Sequence, residues 1–131
     1  MTTTATDPMT AIEDYLRFWN LDPGEEQTRL AERLFAPDVG YHAVIGTYTG
    51  VTALVELSAS FVEHLGDIAF IARAEPDVLH RRARLRWEIL RQDATFARGT
   101  DVIVLDEEGR IASVTVFLDR APEGFDPHAH L

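Results

Sequence analysis

Apolar residues recur every three or four positions through the first half of the chain, and every two positions after Asp67. Met9, Ile12, Leu16 and Trp19 set the first rhythm, which predicts an amphipathic helix with Tyr15 and Phe18 on its flank. Asp7-Pro8 fits its start, a capping carboxylate followed by a proline at the first helical position. Positions 20–24 break the pattern. Asp22 as cap, with Glu25 reaching back to it, predicts a second helix whose buried stripe is Leu30, Leu34 and Phe35 and which Pro37 ends. Residues 39–44 read as a short strand, followed by a turn-rich stretch at 46–50. Leu54, Leu57, Phe61 and Leu65 then predict a third helix, with Gly66 placed for a left-handed cap.

Beyond Asp67 the two-residue period predicts four strands in meander. They cover 68–73; a long strand in which Leu79, Arg81, Ala83, Leu85, Trp87 and Ile89 alternate with charged residues; 96–105; and 110–119. On the last, Ala112, Val114, Val116 and Leu118 share a face. Pro76-Asp77 and Asp106-Glu107-Glu108-Gly109 supply turns. Helices gathered against an antiparallel sheet define an α+β layer. The expected form is a cone-shaped curved antiparallel sheet covered by three N-terminal helices, whose wide end leaves a pocket among Tyr15, Trp19, Phe61, Trp87 and Phe117 or its neighbours. The expected organisation is a disordered tail over 1–8, one domain over 9–119 and an irregular tail over 120–131.

Composition narrows the chemistry. A net charge of −10 from 12 basic and 22 acidic groups disfavours nucleic acid as a partner. No apolar run approaches the ~18 residues of a membrane span, and the opening residues lack the regions of a signal peptide, so the expected location is cytoplasmic. Cysteine is absent and all twelve basic residues are arginine. Thiolate nucleophiles, cysteine-based zinc sites and Schiff-base lysines are thereby excluded. No motif for a cofactor or metal is present.

Three stretches, in this order and spacing, resemble the nuclear transport factor 2-like superfamily, and its SnoaL-like branch of polyketide cyclase and ketosteroid isomerase-like proteins in particular. They are residues 11–22 (AIEDYLRFWNLD), residues 34–42 (LFAPDVGYH) running on to Tyr48-Thr49-Gly50, and residues 99–111 (GTDVIVLDEEGRI). The resemblance covers residues 9–119. It implies the cystatin-like roll and a small apolar molecule in the pocket. It also implies either cofactor-independent acid/base chemistry next to a carbonyl (isomerisation, cyclisation or dehydration) or non-catalytic binding and interaction by the same fold. A homodimer through the outer sheet face is implied too. Fold alone does not choose among these. The family's isomerases carry their base where Ala43 stands here, and His42 beside it takes that role only if a bulge reverses the alternation that aims it at the opposite face.

The candidate catalytic residues are therefore His42, Asp101 and Tyr15, with Trp19, Tyr41, Trp87, Arg98 and Phe117 as substrate-binding residues and no metal ligand. Asp101 suits proton transfer if it is buried. Alternation that sends Val102 and Val104 inward turns it outward toward Arg84 or Arg86, unless a bulge near Gly99 reverses the phase. Likewise His42 is either a pocket base or a half-exposed strand histidine, and Arg98 either reaches the cone mouth or lies on the surface. Tyr15 or Tyr41 is placed to polarise a carbonyl. His64 reads as a helix-dipole partner, His80 as exposed, and His128 with His130 as part of a solvated tail.

Overall fold

The computed structural model describes residues 7–122 and 124. Its elements follow in the order α1 (Pro8–Asn20), α2 (Glu25–Leu34), β1 (Phe35–Ala43), β2 (Gly46–Thr49), α3 (Val51–Leu65), β3 (Ile68–Ala72), β4 (Asp77–Leu79), β5 (Arg82–Arg91), β6 (Ala94–Leu105) and β7 (Ile111–Arg120). The α+β architecture is as expected: three helices cover one face of a sheet ordered β2-β1-β7-β6-β5-β3, with β4 beside the start of β5. The sheet is mixed rather than wholly antiparallel. β1 runs parallel to β7, a long-range pairing that local periodicity does not encode.

Asp7 caps α1 by accepting the Met9 N–H at 2.8 Å, with Pro8 in the first turn. The buried face is Ala11, Ile12, Tyr15, Phe18 and Trp19, so Tyr15 and Phe18 lie at its centre rather than its flank. For α2 the expected Asp22 cap is not formed. The helix starts after Gly24 with no side-chain cap, and Glu25 and Glu26 favour its N-terminus through charge alone. Phe35 is buried but already in β1. Pro37, which cannot donate to a ladder, falls where the β1–β7 register shifts between Phe35 and Gly40.

Two polar ties fix the helices, one buried and one at the surface. The Gln27 amide donates to the Phe18 carbonyl at 2.9 Å and to Ser58 Oγ at 2.8 Å, joining all three helices. Asn20 exchanges hydrogen bonds with the Phe70 backbone, accepting its N–H at 2.8 Å and donating to its carbonyl at 2.7 Å. It thus acts as a short extra strand on the edge of β3. Gly66 ends α3 at φ 74°, where a Cβ would be strained.

The expected long strand starting at Leu79 is split. His80 takes φ 56° in a turn, leaving Leu79 in β4 and 67% exposed. At the other end, Leu105 pairs with Ile111 and Val104 with Ser113, so Ala112 is an extra bulged residue off the core face. From Val114 on, alternation resumes with Val114, Val116 and Leu118 inward. Residues 1–6, most of the expected C-terminal tail, and His128 and His130 lie outside the described residues. Among the described residues no helix is long and apolar enough to cross a membrane.

Candidate active site

Between the helices and the inner face of the sheet lies a cavity of about 460 Å³. Its walls are almost wholly apolar, with Trp19, Phe61, Phe70, Trp87, Ile89 and Leu118 prominent among them. Among the described residues its polar members are few: Asp101, Tyr41, Ser60 and His64.

β6 brings Asp101 to the cavity. Ala97, Gly99, Asp101, Ile103 and Leu105 are all buried, so the odd-numbered residues face inward. Register explains the choice: Asp101 lies opposite Val116 and Ile103 opposite Val114, and both valines face the core. Val102 and Val104 are therefore the outward residues, and the alternation argument for an outward Asp101 is corrected. The ladder to β7 does shift register between Arg98 and Gly99, the place of the expected bulge, but burial alternates regularly from 97 to 105, so the phase of β6 is not inverted.

Gly99 matters for a different reason. It lies opposite Trp87, and a Cβ there would come within 2.1 Å of Trp87 Cζ2. The missing side chain makes room for the indole, whose Nε1 donates to Asp101 Oδ1 at 2.7 Å. From α1 the Tyr15 hydroxyl donates to Oδ2 at 2.5 Å. Asp101 is 1% exposed and holds one neutral donor on each oxygen. Burial pushes its carboxyl up to about 7, against the Tyr15 and Trp87 hydrogen bonds, which pull it down.

Tyr15 and Tyr41 are both held well above the ordinary phenol range, first by burial and then by the nearby Asp101 charge. Both stay protonated, so each has a proton to donate. They differ in commitment. The Tyr15 proton is engaged by Asp101, whereas the Tyr41 hydroxyl makes no hydrogen bond among the described residues although its ring lines the cavity. Beside Tyr15, the buried Trp19 indole N–H also lacks an acceptor among the described residues.

The structure thus brings together Tyr15, Trp19, Tyr41, Trp87 and Asp101. Three other expected residues are placed elsewhere. His42 is exposed on the opposite face of β1 from Tyr41, because the strand is regular there and alternation turns it out. Arg98 lies outside the cavity with Nε 3.3 Å from Glu88 Oε2, an ion pair across the β5–β6 ladder. Phe117 is 55% exposed, opposite Thr100 on the outer face; its neighbours Val116 and Leu118 line the cavity instead. Sequence reasoning passed over Ser60 and the cavity position of His64. Their signal was spacing: they flank Phe61 and Leu65 on the same side of α3. Among the described residues no three His, Asp or Glu side chains converge to hold a metal ion.

Neither a protein-family model nor a curated protein matches the sequence. Solved structures do. The chain is similar to a protein of the SnoaL-like family from Agrobacterium tumefaciens, provisionally named an isomerase, at 27% identity and a TM-score of 0.80 over 85% of this chain and 96% of that one. It is also similar to a protein of unknown function with a cystatin-like fold from Methylobium petroleophilum, at 20% identity and a TM-score of 0.72 over 95% and 84% of the two chains. A provisionally named polyketide cyclase from Sinorhizobium meliloti matches at 17% identity and a TM-score of 0.65, over 85% and 99%. The last two likenesses speak to fold alone.

Proposed function

We propose that this chain, which belongs to the nuclear transport factor 2-like superfamily, is a SnoaL-like enzyme that moves a proton next to the carbonyl of an apolar substrate. One observation carries the reading: a carboxyl poised near neutrality inside an apolar cavity, held by two neutral donors instead of a cation. In this reading an Asp101 oxygen takes the proton from the carbon beside the carbonyl. The C–H electron pair moves into the enolate, and the Tyr41 hydroxyl donates to the oxygen where negative charge grows. Asp101 then returns the proton to carbon, at the same or a conjugated position. Tyr15 and Trp87 fix the carboxylate's orientation and limit how far burial raises its pKa. His42, on the far face of β1, has no part.

Deuterium exchange tests this without knowledge of the natural substrate. A hydrophenanthrenone, a three-ring apolar ketone, is incubated with the protein in heavy water, and deuterium entry beside the ketone is followed by NMR. The expected rate rises with pH through about 7, as the carboxyl ionises, and Asp101→Asn lowers it by roughly 10²-fold or more. Equal exchange by the wild type and Asp101→Asn would remove the proposal. It would leave the second reading, a non-catalytic binding site, which the apolar lining and the occupied oxygens of Asp101 favour.

A homodimer through the outer sheet face goes with this proposal, supported by the exposed Phe117 and the half-buried Val102 and Val104 on that face. Light scattering at micromolar concentration should give twice the chain mass of 14.7 kDa; the mass of a monomer would contradict it.

A further inference from the structure

The cavity carries polar groups at two depths. Asp101 and Tyr41 are buried, whereas His64 is exposed and Ser60 half-buried on the last turns of α3. The wall between is apolar. His64 Nδ1 lies 2.8 Å from the Ser60 carbonyl and 3.3 Å from Ser60 Oγ. A carbonyl oxygen only accepts, so in the neutral ring Nδ1 carries the proton and Nε2 is left as an acceptor. Ser60 Oγ, on the acceptor side of Nδ1–H, keeps its own proton to donate. The rim therefore offers one acceptor and one donor side by side.

A hydroxyl group satisfies both at once. A carboxylate accepts from Ser60 but leaves the Nε2 acceptor unmet, and its charge finds no partner, since none of the twelve arginines lines the cavity and the chain carries a net charge of −10. We infer that the cavity selects neutral ligands bearing a hydroxyl at the end remote from the carbonyl, held at the rim by His64 and Ser60. The carbonyl at the deep end rests on the proposed role of Asp101; the hydroxyl at the rim does not.

Three hydrophenanthrenones test it, differing only on the ring farthest from the ketone, with hydrogen, hydroxyl or carboxylate there. Trp19 and Trp87 are the chain's two tryptophans and both line the cavity, so quenching of their fluorescence reports binding. At about pH 8 the hydroxylated ketone should bind about tenfold tighter than the unsubstituted one, as two neutral hydrogen bonds allow. The carboxylate should bind weakest. Ser60→Ala with His64→Leu should bring the hydroxyl preference to about one, with the fold checked by circular dichroism. His64→Gln, which keeps an acceptor, should retain part of it.

No preference in the wild type, a preference surviving in the double variant, or tightest binding of the carboxylate would each overturn the inference. These outcomes are read from binding alone, whereas failure of the Asp101 proposal is read from deuterium exchange. No measurable binding of any of the three ketones would overturn both.

Discussion

On β5, Arg84 is in register with Asp77 of β4, and the next residue, Leu85, is in register with Asp101 of β6. One step along a strand turns the side chains to opposite faces, and the two aspartates meet opposite conditions. Asp77 is half exposed and takes two hydrogen bonds from Arg84, at 2.7 and 3.0 Å. Those bonds, and then the guanidinium charge, hold its carboxyl below the usual range. Asp101 is sealed in and has a phenol and an indole in place of a cation, and burial lifts it to about 7. A carboxylate kept for stability gains from an arginine or from solvent. One kept buried without a cation weakens the fold when it ionises, so its placement points to chemistry.

Changing pH should separate the two sites most strongly. Asp101 holds its proton in the folded chain up to about 7, whereas the unfolded chain releases it near ~3.9. Stability should fall as pH rises through that window and level off above it. In urea unfolding from pH 4 to 8, the stability of Asp101→Asn relative to wild type should therefore shift in favour of the variant, by about 4 kcal/mol at the upper limit. A constant difference across pH would break the contrast with Asp77.

Gly99→Ala comes next. Its methyl would meet the Trp87 ring and also the Phe117 carbonyl at 2.7 Å. Overpacking of this kind destabilises by roughly 1–3 kcal/mol, and the loss of the Trp87 bond should show as altered tryptophan fluorescence. Tyr15→Phe removes a donor to a buried carboxylate, a loss of roughly 1–3 kcal/mol above pH 7. Because that bond pulls the Asp101 pKa down, the pH midpoint for deuterium exchange should move upward from about 7. The smallest effect belongs to Asp77→Asn, which removes a solvent-exposed pair; its urea midpoint and exchange rate at neutral pH should match wild type.

Much of this contrast was legible before any coordinates. The change of period near Asp67, the Asp7 cap, the Gly66 cap and the aromatic positions on α1 and β5 are local signals, and they place Tyr15, Trp19 and Trp87 on the inner side. The face of β6 was not legible. Val102, Ile103, Val104 and Leu105 are apolar on both parities, so hydrophobicity cannot say which side is in. Pairing with β7 decides it, and the bulge at Ala112 shifts that pairing in a way the spacing of Ala112, Val114 and Val116 conceals. The bulge expected near Gly99 is present as a register shift against β7 between Arg98 and Gly99, but it does not set the face of Asp101, and Gly99 also accepts an indole from the neighbouring strand. Phe117 and Arg98 were misplaced for the same reason, since inward and outward are settled by partners distant in sequence. The parallel β1–β7 pair likewise joins segments about seventy residues apart.

The most direct test is the titration of Asp101 itself, followed by the carboxyl-carbon NMR signal that disappears in Asp101→Asn. A midpoint of about 7 is the expected result. A midpoint near or below the ~3.9 of a solvated aspartate would mean that the carboxylate is ionised at all working pH, as at Asp77, and would contradict its assignment as the proton-transfer group.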